Sequence, residues 1–323
     1  MVGKYSIEVS NNRVTFRLEV KRNITVIQGD SATGKTTLIR MISEYNRAGN
    51  SSGISIKCEK DCIALSVADW EQYLTSSEEK IIFLDENNSY IHSKRFAELV
   101  KGSDNYFVLI IRDSLPQLAY SVEEIYGMRE SRDSQKYIKP RHVYNEIFKL
   151  YNIREHEHIK PEAVITEDSN AGHECFSELF ECECIPAGGK SLVVAEVLNA
   201  GLDGKDILAI VDGAAFGADI AEILRVARNR KARCVLYAPE SFEFLILQSG
   251  IVQVDRRVLE ETQDYADTRT YESWEQFFTA YLIELSEDTI YKYSKSKLNK
   301  AYLTKGNIEK IKKVIPNLIE ISP

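Results

Sequence analysis

Residues 29–36 read Gly-Asp-Ser-Ala-Thr-Gly-Lys-Thr, between the apolar run ITVI (24–27) and a stretch, 35–45, with helical periodicity. A short run of branched apolar residues suits a buried strand, and glycines at both ends of a tight loop remove the Cβ penalty for a sharp turn. Successive N–H groups of such a loop point inward and make a nest for an anion, and the positive end of the following helix faces the same point. The spacing GxxxxGK[ST] therefore predicts a loop wrapped around the phosphates of a nucleotide. Lys35 is expected to reach the β- and γ-phosphates, and the Thr36 hydroxyl to bind magnesium. The expected nucleotide-binding residues are Gly29, Asp30, Ser31, Ala32, Thr33, Gly34, Lys35, Thr36 and Thr37.

Such a site needs an acid at the end of a second buried strand. IIFLDE (81–86) supplies one, with Asp85 expected to hold magnesium through a water and Glu86 to polarise an attacking water as general base. A third apolar strand, FVLIIRD (107–113), ends in Arg112 and Asp113. Two readings of that end stay open: a sensor of the γ-phosphate, or an ordinary surface salt bridge. No NKxD sequence is present to read guanine, which favours ATP over GTP.

The rest of the pattern organises the chain around these motifs. KYSIEVS and RVTFRLEV alternate apolar and polar residues, as a half-exposed antiparallel pair does. GISIKC and CIALSV predict a hairpin around residues 59–61, SKRFAELVKGS a helix, VEEIYGM a strand, and VYNEIFKLY (143–151) a helix. The hydrophilic join REHEHIKPE follows, its histidines at 156 and 158 reading as exposed linker residues. From residue 163 strands and helices alternate at βαβ spacing, which predicts a largely parallel sheet, and the last sixty or so residues read as helical. The expected fold class is α/β, with a nucleotide-binding P-loop domain over 1–158, a second α/β domain over 159–265 and a helical C-terminal extension over 266–323.

The glycine-rich loop, the Leu84-Asp85-Glu86 strand end and the opening antiparallel pair resemble the ATP-binding cassette ATPases over about residues 1–130. The resemblance implies ATP as ligand and a γ-phosphate sensor at the end of the next strand. There the family has histidine and this chain has Arg112. The LSGGQ-like signature is absent, and only about fifty residues separate the two motifs, too few for the family's helical subdomain. ATP binding keeps its support, while head-to-tail dimerisation and rapid turnover lose theirs.

Over about residues 162–250, the order strand–acid, strand–Gly-Gly, strand–Asp resembles the Toprim fold of topoisomerases, primases and overcoming-lysogeny nucleases. Glu167 in VITED, Gly188-Gly189 in IPAGGK and Asp212 in AIVDGAAFG carry it. The family's glutamate and DxD pair bind magnesium for phosphodiester chemistry, so the resemblance implies a second magnesium site at Glu167 and Asp212. Ala214 stands where the second aspartate belongs, and Ala171 where nuclease relatives carry an acid. Asp168 and Asp219 remain as further carboxylates, and Glu240 and Glu243 fit a helix cap.

Composition sets the outer limits. The chain has 323 residues, 44% hydrophobic and 28% charged, with no apolar run long enough to cross a membrane, so a cytoplasmic protein without a membrane partner is expected. A net charge of −8 argues against a surface coated for non-specific DNA binding. Locally the charge reverses: residues 291–313 hold eight lysines, and 225–233 is a second basic run. Each is either a solvated face or a phosphate contact. Six cysteines fit no disulfide framework, and His173, Cys175, Cys182 and Cys184 offer a zinc alternative to free thiols. Three functions stay open: an ATP-binding switch or weak ATPase whose second domain binds a protein partner, an ATP-regulated metal-dependent nuclease, and an ATPase that binds DNA or RNA without cleaving it. A homodimer is compatible with each.

Overall fold

The structure is a computed structural model that describes residues 1–29, 34–129, 142–144, 146–151, 158–199, 202 and 204–321. The chain is mixed α/β and divides into two compact units, Met1–Tyr151 with Glu261–Glu272, and Asn152–Glu260 with Ser273–Pro323. No described helix is long and apolar enough to cross a membrane.

In the first unit the elements run β1 (Tyr5–Ser10), β2 (Val14–Val20), β3 (Ile24–Ile27), α1 (Lys35–Ala48), β4 (Ser55–Lys57), β5 (Cys62–Ala64), α2 (Trp70–Ser76) and β6 (Ile81–Asp85). They continue with α3 (Lys94–Val100), β7 (Tyr106–Ile110), β8 (Ile125–Arg129), β9 (His142–Tyr144) and β10 (Glu146–Lys149). One sheet has the order β4-β1-β2-β9, the other β10-β8-β3-β7-β6-β5. The alternating pair forms as the sequence predicts, β1 against β2 from Tyr5↔Val20 to Ser10↔Thr15.

Two sequence expectations fail here for one reason, which is that sheet edges choose their partners in three dimensions. β4 and β5 make no hairpin: β4 pairs antiparallel with β1, while β5 runs parallel to β6. Three-residue strands carry too few cross-strand pairs to select each other, and each joins a longer neighbour. The helix expected over 143–151 is instead β9 and β10, the latter antiparallel to β8 from Glu146↔Arg129 to Lys149↔Tyr126. A ladder on an open edge outweighs a weak local helical pattern.

The parallel strands are buried on both faces. Ile81 and Phe83 of β6 and Val108 of β7 pack with Leu38, Met41 and Ile42 of α1. Phe107, pointing the other way, meets Phe96 of α3 edge to face at 6.1 Å. At the amino ends of β3 and β8 lies a buried ion pair. Arg22 is 5% exposed and Glu124 0%, with Nε and Oε1 at 3.1 Å, and the Tyr126 hydroxyl donates to the other oxygen at 3.2 Å. This pair ties together the starts of β8 and of β3, the strand that leads into the glycine-rich motif.

The second unit contains β11 (Ala163–Thr166), α4 (Ala171–Leu179), β12 (Glu183–Pro186), α5 (Lys190–Leu198), β13 (Ile207–Ile210), α6 (Ile220–Arg228) and β14 (Cys234–Tyr237). The helices α7 (Phe242–Ser249), α8 (Arg256–Glu260), α9 (Trp274–Ser286) and α10 (Lys305–Lys312) follow. Its sheet is wholly parallel, in the order β12-β11-β13-β14. β11 and β13 are buried along their length. Phe244 of α7 and Phe278 of α9 pack with ring centroids 4.7 Å apart.

Replacing Glu124 by Ala leaves the Arg22 charge buried without its carboxylate, and a loss of about 3–5 kcal/mol is expected in urea unfolding. The double variant Arg22→Leu/Glu124→Leu should recover much of it. A loss below about 1 kcal/mol for Glu124→Ala would show that the pair is not dry.

Candidate functional site

β3, β7 and β6 are parallel neighbours, so their carboxyl ends share one edge. From β3 the chain travels to β5 at the sheet's far side, returns through β6 and β7, and crosses to β8 on the other side of β3. In open α/β sheets ligands bind at the carboxyl edge where the winding reverses, and in this sheet that point falls between β3 and β7. Gly29 (φ 129°) and Gly34 (φ 86°) sit on that edge in backbone regions that disfavour a side chain, which accounts for glycine at both positions. Asp30, Ser31, Ala32 and Thr33 lie outside the described residues.

Immediately after the motif's second glycine, α1 begins at Lys35, and the Leu38 N–H donates to the Gly34 carbonyl at 3.0 Å. Among the described residues no side chain caps this end, and no acid stands in its first turn, so the helix presents positive potential there. Thr36 is exposed and Thr37 half-buried. Lys35 donates to the Gly29 carbonyl at 2.6 Å and so closes back over the start of the motif.

One strand, β7, separates β3 from Asp85 at the end of β6. Two strand spacings are about 10 Å, which leaves room for a phosphate and a hydrated cation. Asp85 is held by its own turn: the Asn87 amide donates to Oδ2 at 2.8 Å, and the Asn88 amide and Asn87 N–H donate to Oδ1 at 3.0 and 3.2 Å. Neither asparagine belongs to a nucleotide-binding motif, but Asp-Glu-Asn-Asn after a strand is a turn signal. The hard oxygen donors of Thr36 and Asp85, completed by phosphate and water, fit magnesium.

Glu86 pairs with Arg112 across the edge, Oε1 to Nε at 3.1 Å, with the two side chains 39% and 62% exposed. Of the two readings of Arg112, the salt bridge is formed, and its partner is the expected base. Asp113 is exposed beside it.

In the second unit the motif residues also converge. The Asp212 N–H donates to Glu167 Oε2 at 3.0 Å, and the Gly189 N–H donates to the Glu167 carbonyl at 2.8 Å. Asp212 Oδ1 accepts from the Phe242 N–H at 3.1 Å. Between Glu167, Asp212, Phe176, Pro239 and Phe242 is a cavity of about 20 Å³, room for one water. Burial pushes Glu167 up from 4.5 to about 7. Burial, reinforced by Glu275, Glu243 and Glu167, also raises Asp212 well above the usual carboxylate range.

These carboxylates do not fit magnesium. That ion keeps several waters, and the cavity admits one. Asp168 is committed to the start of α4, accepting from Gly172 and His173 N–H groups at 3.2 and 3.0 Å. Asp219 stands 4.0 Å from Lys190 instead. The Ala214 N–H donates to the Glu240 carbonyl at 3.1 Å and the residue is buried, so an aspartate there would be out of reach of water. Among the described residues, no group of three or more His, Cys, Asp or Glu side chains is placed to hold a metal.

The zinc alternative goes the same way: His173 Nδ1 lies 3.1 Å from Thr166 Oγ1, and Cys175 is wholly buried. α7 is capped by Ser241, whose hydroxyl accepts from the Phe244 N–H at 3.1 Å, while Glu243 is buried rather than capping. In the basic run, Arg230 donates to the Leu202 carbonyl at 2.6 Å and Arg233 pairs with Asp206 at 2.5 Å, which makes both structural. No protein-family model, curated protein or solved structure matches the chain.

A carboxyl group whose folded pKa lies above its unfolded value favours folding while protonated, and that contribution is lost as pH rises through the folded value. Glu167→Gln keeps the acceptor for the Asp212 N–H and removes the titration. Its stability relative to wild type should therefore increase as pH rises from 4.5 through about 7. A difference that stays constant across this window in thermal unfolding would mean that Glu167 is not pushed up.

Proposed function

We propose that the first unit binds ATP with magnesium at the carboxyl edge of β3 and hydrolyses it slowly, and that the second is a Toprim-like domain that binds a partner under nucleotide control. The observation that carries this reading is the shared edge: the glycine-rich motif leaves β3 directly into α1, and Asp85 and Glu86 end β6 on the same side. Lys35 and the N–H groups at the start of α1 would hold the phosphates, with Thr36 and Asp85 on the magnesium, which withdraws charge from the β- and γ-phosphates. Glu86 would take a proton from the attacking water.

The Arg112 guanidinium occupies Glu86 Oε1 and has to release it before that oxygen can take a proton from water. Against metal-dependent cleavage stand the one-water cavity and the alanines at 171 and 214.

ATP binding and phosphate release by wild type, Lys35→Ala and Glu86→Gln test the reading. Lys35→Ala should weaken ATP at least tenfold, about 1.4 kcal/mol. Glu86→Gln should bind normally and lose about 10²–10⁴ of its turnover. Failure of the wild type to bind ATP with magnesium sinks the proposal.

One observation favours a second reading, in which the tail contacts nucleic acid. Lys297, Lys300, Lys305, Lys310 and Lys313 are exposed, with no carboxylate at ion-pair distance among the described residues. If all five meet phosphates, log affinity for duplex DNA should fall against log salt with a slope of about −4 to −5. Binding that ignores salt removes this reading.

A further inference from the structure

The short strands β4 and β5, which form no hairpin with each other, are joined by a turn with a cysteine at each end. Cys58 directly follows β4, and Cys62 opens β5. Both sulfurs turn onto the residue midway between them. Cys58 Sγ accepts from the Lys60 N–H at 3.5 Å, and Cys62 Sγ lies 3.8 Å from the Lys60 carbonyl oxygen. The two thiols are within hydrogen-bond reach of each other. A disulfide asks for Cβ atoms about 4 Å apart, a spacing that a turn folded over its middle residue can supply.

The two cysteines are not equivalent. Cys58 is half-exposed and lines a cavity of about 700 Å³ together with Glu8, Lys57 and Glu59, so a small solute can reach its sulfur. Cys62 is 5% exposed, and its backbone is fixed by pairing with Ile81 and by the Asn46 amide of α1, which donates to its carbonyl at 2.9 Å. The hydrogen bond from Cys62 favours the thiolate at Cys58 and holds that thiol below its ordinary range, while the same bond and burial raise Cys62. Burial lifts Cys175, Cys182, Cys184 and Cys234 above the ordinary range as well. Of the six cysteines, Cys58 alone combines access with an easily formed thiolate.

We propose that Cys58 and Cys62 form a reversible oxidation site for peroxide, with Cys58 the attacking and Cys62 the resolving thiol. The Cys58 thiolate attacks one oxygen of hydrogen peroxide; an S–O bond forms, the O–O bond breaks, and the departing hydroxide takes up a proton as water. Cys62 then attacks the sulfenic sulfur; the S–S bond forms, the S–O bond breaks, and hydroxide leaves with the Cys62 proton as a second water. Two thiols are oxidised and one peroxide is reduced. The bond would tie the end of β4 in one sheet to the start of β5 in the other, beside the Asn46 contact of α1. The inference holds whether or not the first unit binds ATP.

Peroxide treatment of nucleotide-free full-length protein, followed by denaturation, alkylation of the remaining thiols and trypsin, tests it. Trypsin cuts after Lys57, Lys60 and Lys80, so peptides 58–60 and 61–80 stay together only through a disulfide. They should be joined after peroxide and separate after dithiothreitol, with Cys175, Cys182, Cys184 and Cys234 still alkylated. Cys62→Ser should stop at a Cys58 sulfenic acid that dimedone traps. In the untreated native protein Cys58 should alkylate about tenfold faster than those four at neutral pH. Peptides that stay separate after peroxide, with Cys62 still alkylated, overturn the proposal. So does a Cys58 that reacts no faster than Cys182. Should Cys62→Ser not fold, the peptides of the wild-type protein still decide.

Discussion

Burial of the parallel strands on both faces is the constraint on which the rest of each unit depends. β3, β6 and β7 in the first unit, and β11 and β13 in the second, are apolar along nearly their whole length, so charge can stand only at strand ends. Parallel pairing then gathers like ends on one edge. Gly29, Asp85 and Arg112 meet there in the first unit, and Glu167 and Asp212 in the second, although each set is scattered over tens of residues. At the opposite edge of the first sheet the Arg22–Glu124 pair joins the starts of the parallel neighbours β3 and β8.

The same geometry has opposite outcomes in the two units because their edges are covered differently. At the first edge a helix opens without a capping side chain, and Glu86 and Arg112 face water, so their ion pair is cheap to break. That is the condition for a site that accepts a charged ligand and moves a proton. At the second edge Phe176, Pro239 and Phe242 close over the carboxylates, and backbone N–H groups occupy an oxygen of each. The two acids resembling a metal pair are thereby turned inward to structural work.

Much of the candidate site was legible in the sequence because its signals are local. A glycine pair spaced around a lysine, the end of an apolar strand and the onset of a helix are each set by neighbouring residues, and Glu167, Gly188-Gly189 and Asp212 likewise mark strand ends. The missed features are non-local. Glu243 and Tyr293, joined by a hydrogen bond, are fifty positions apart. Edge strands failed for a related reason, since β4, β5, β9 and β10 are too short for local preference to outweigh the partner that the sheet offers.

By itself the sequence determined which segments must be buried strands, where the chain must turn through glycine, and which acids and cations stand at the turns, because hydrophobic period and backbone sterics act over a few residues. Only the tertiary structure decided strand order, the pairing of Glu86 with Arg112, and the enclosure of Glu167 and Asp212 beneath Phe176, Pro239 and Phe242. Solvent exposure is a property of what folds over a side chain, and in this protein it separates acids open to water from acids closed off beneath apolar side chains.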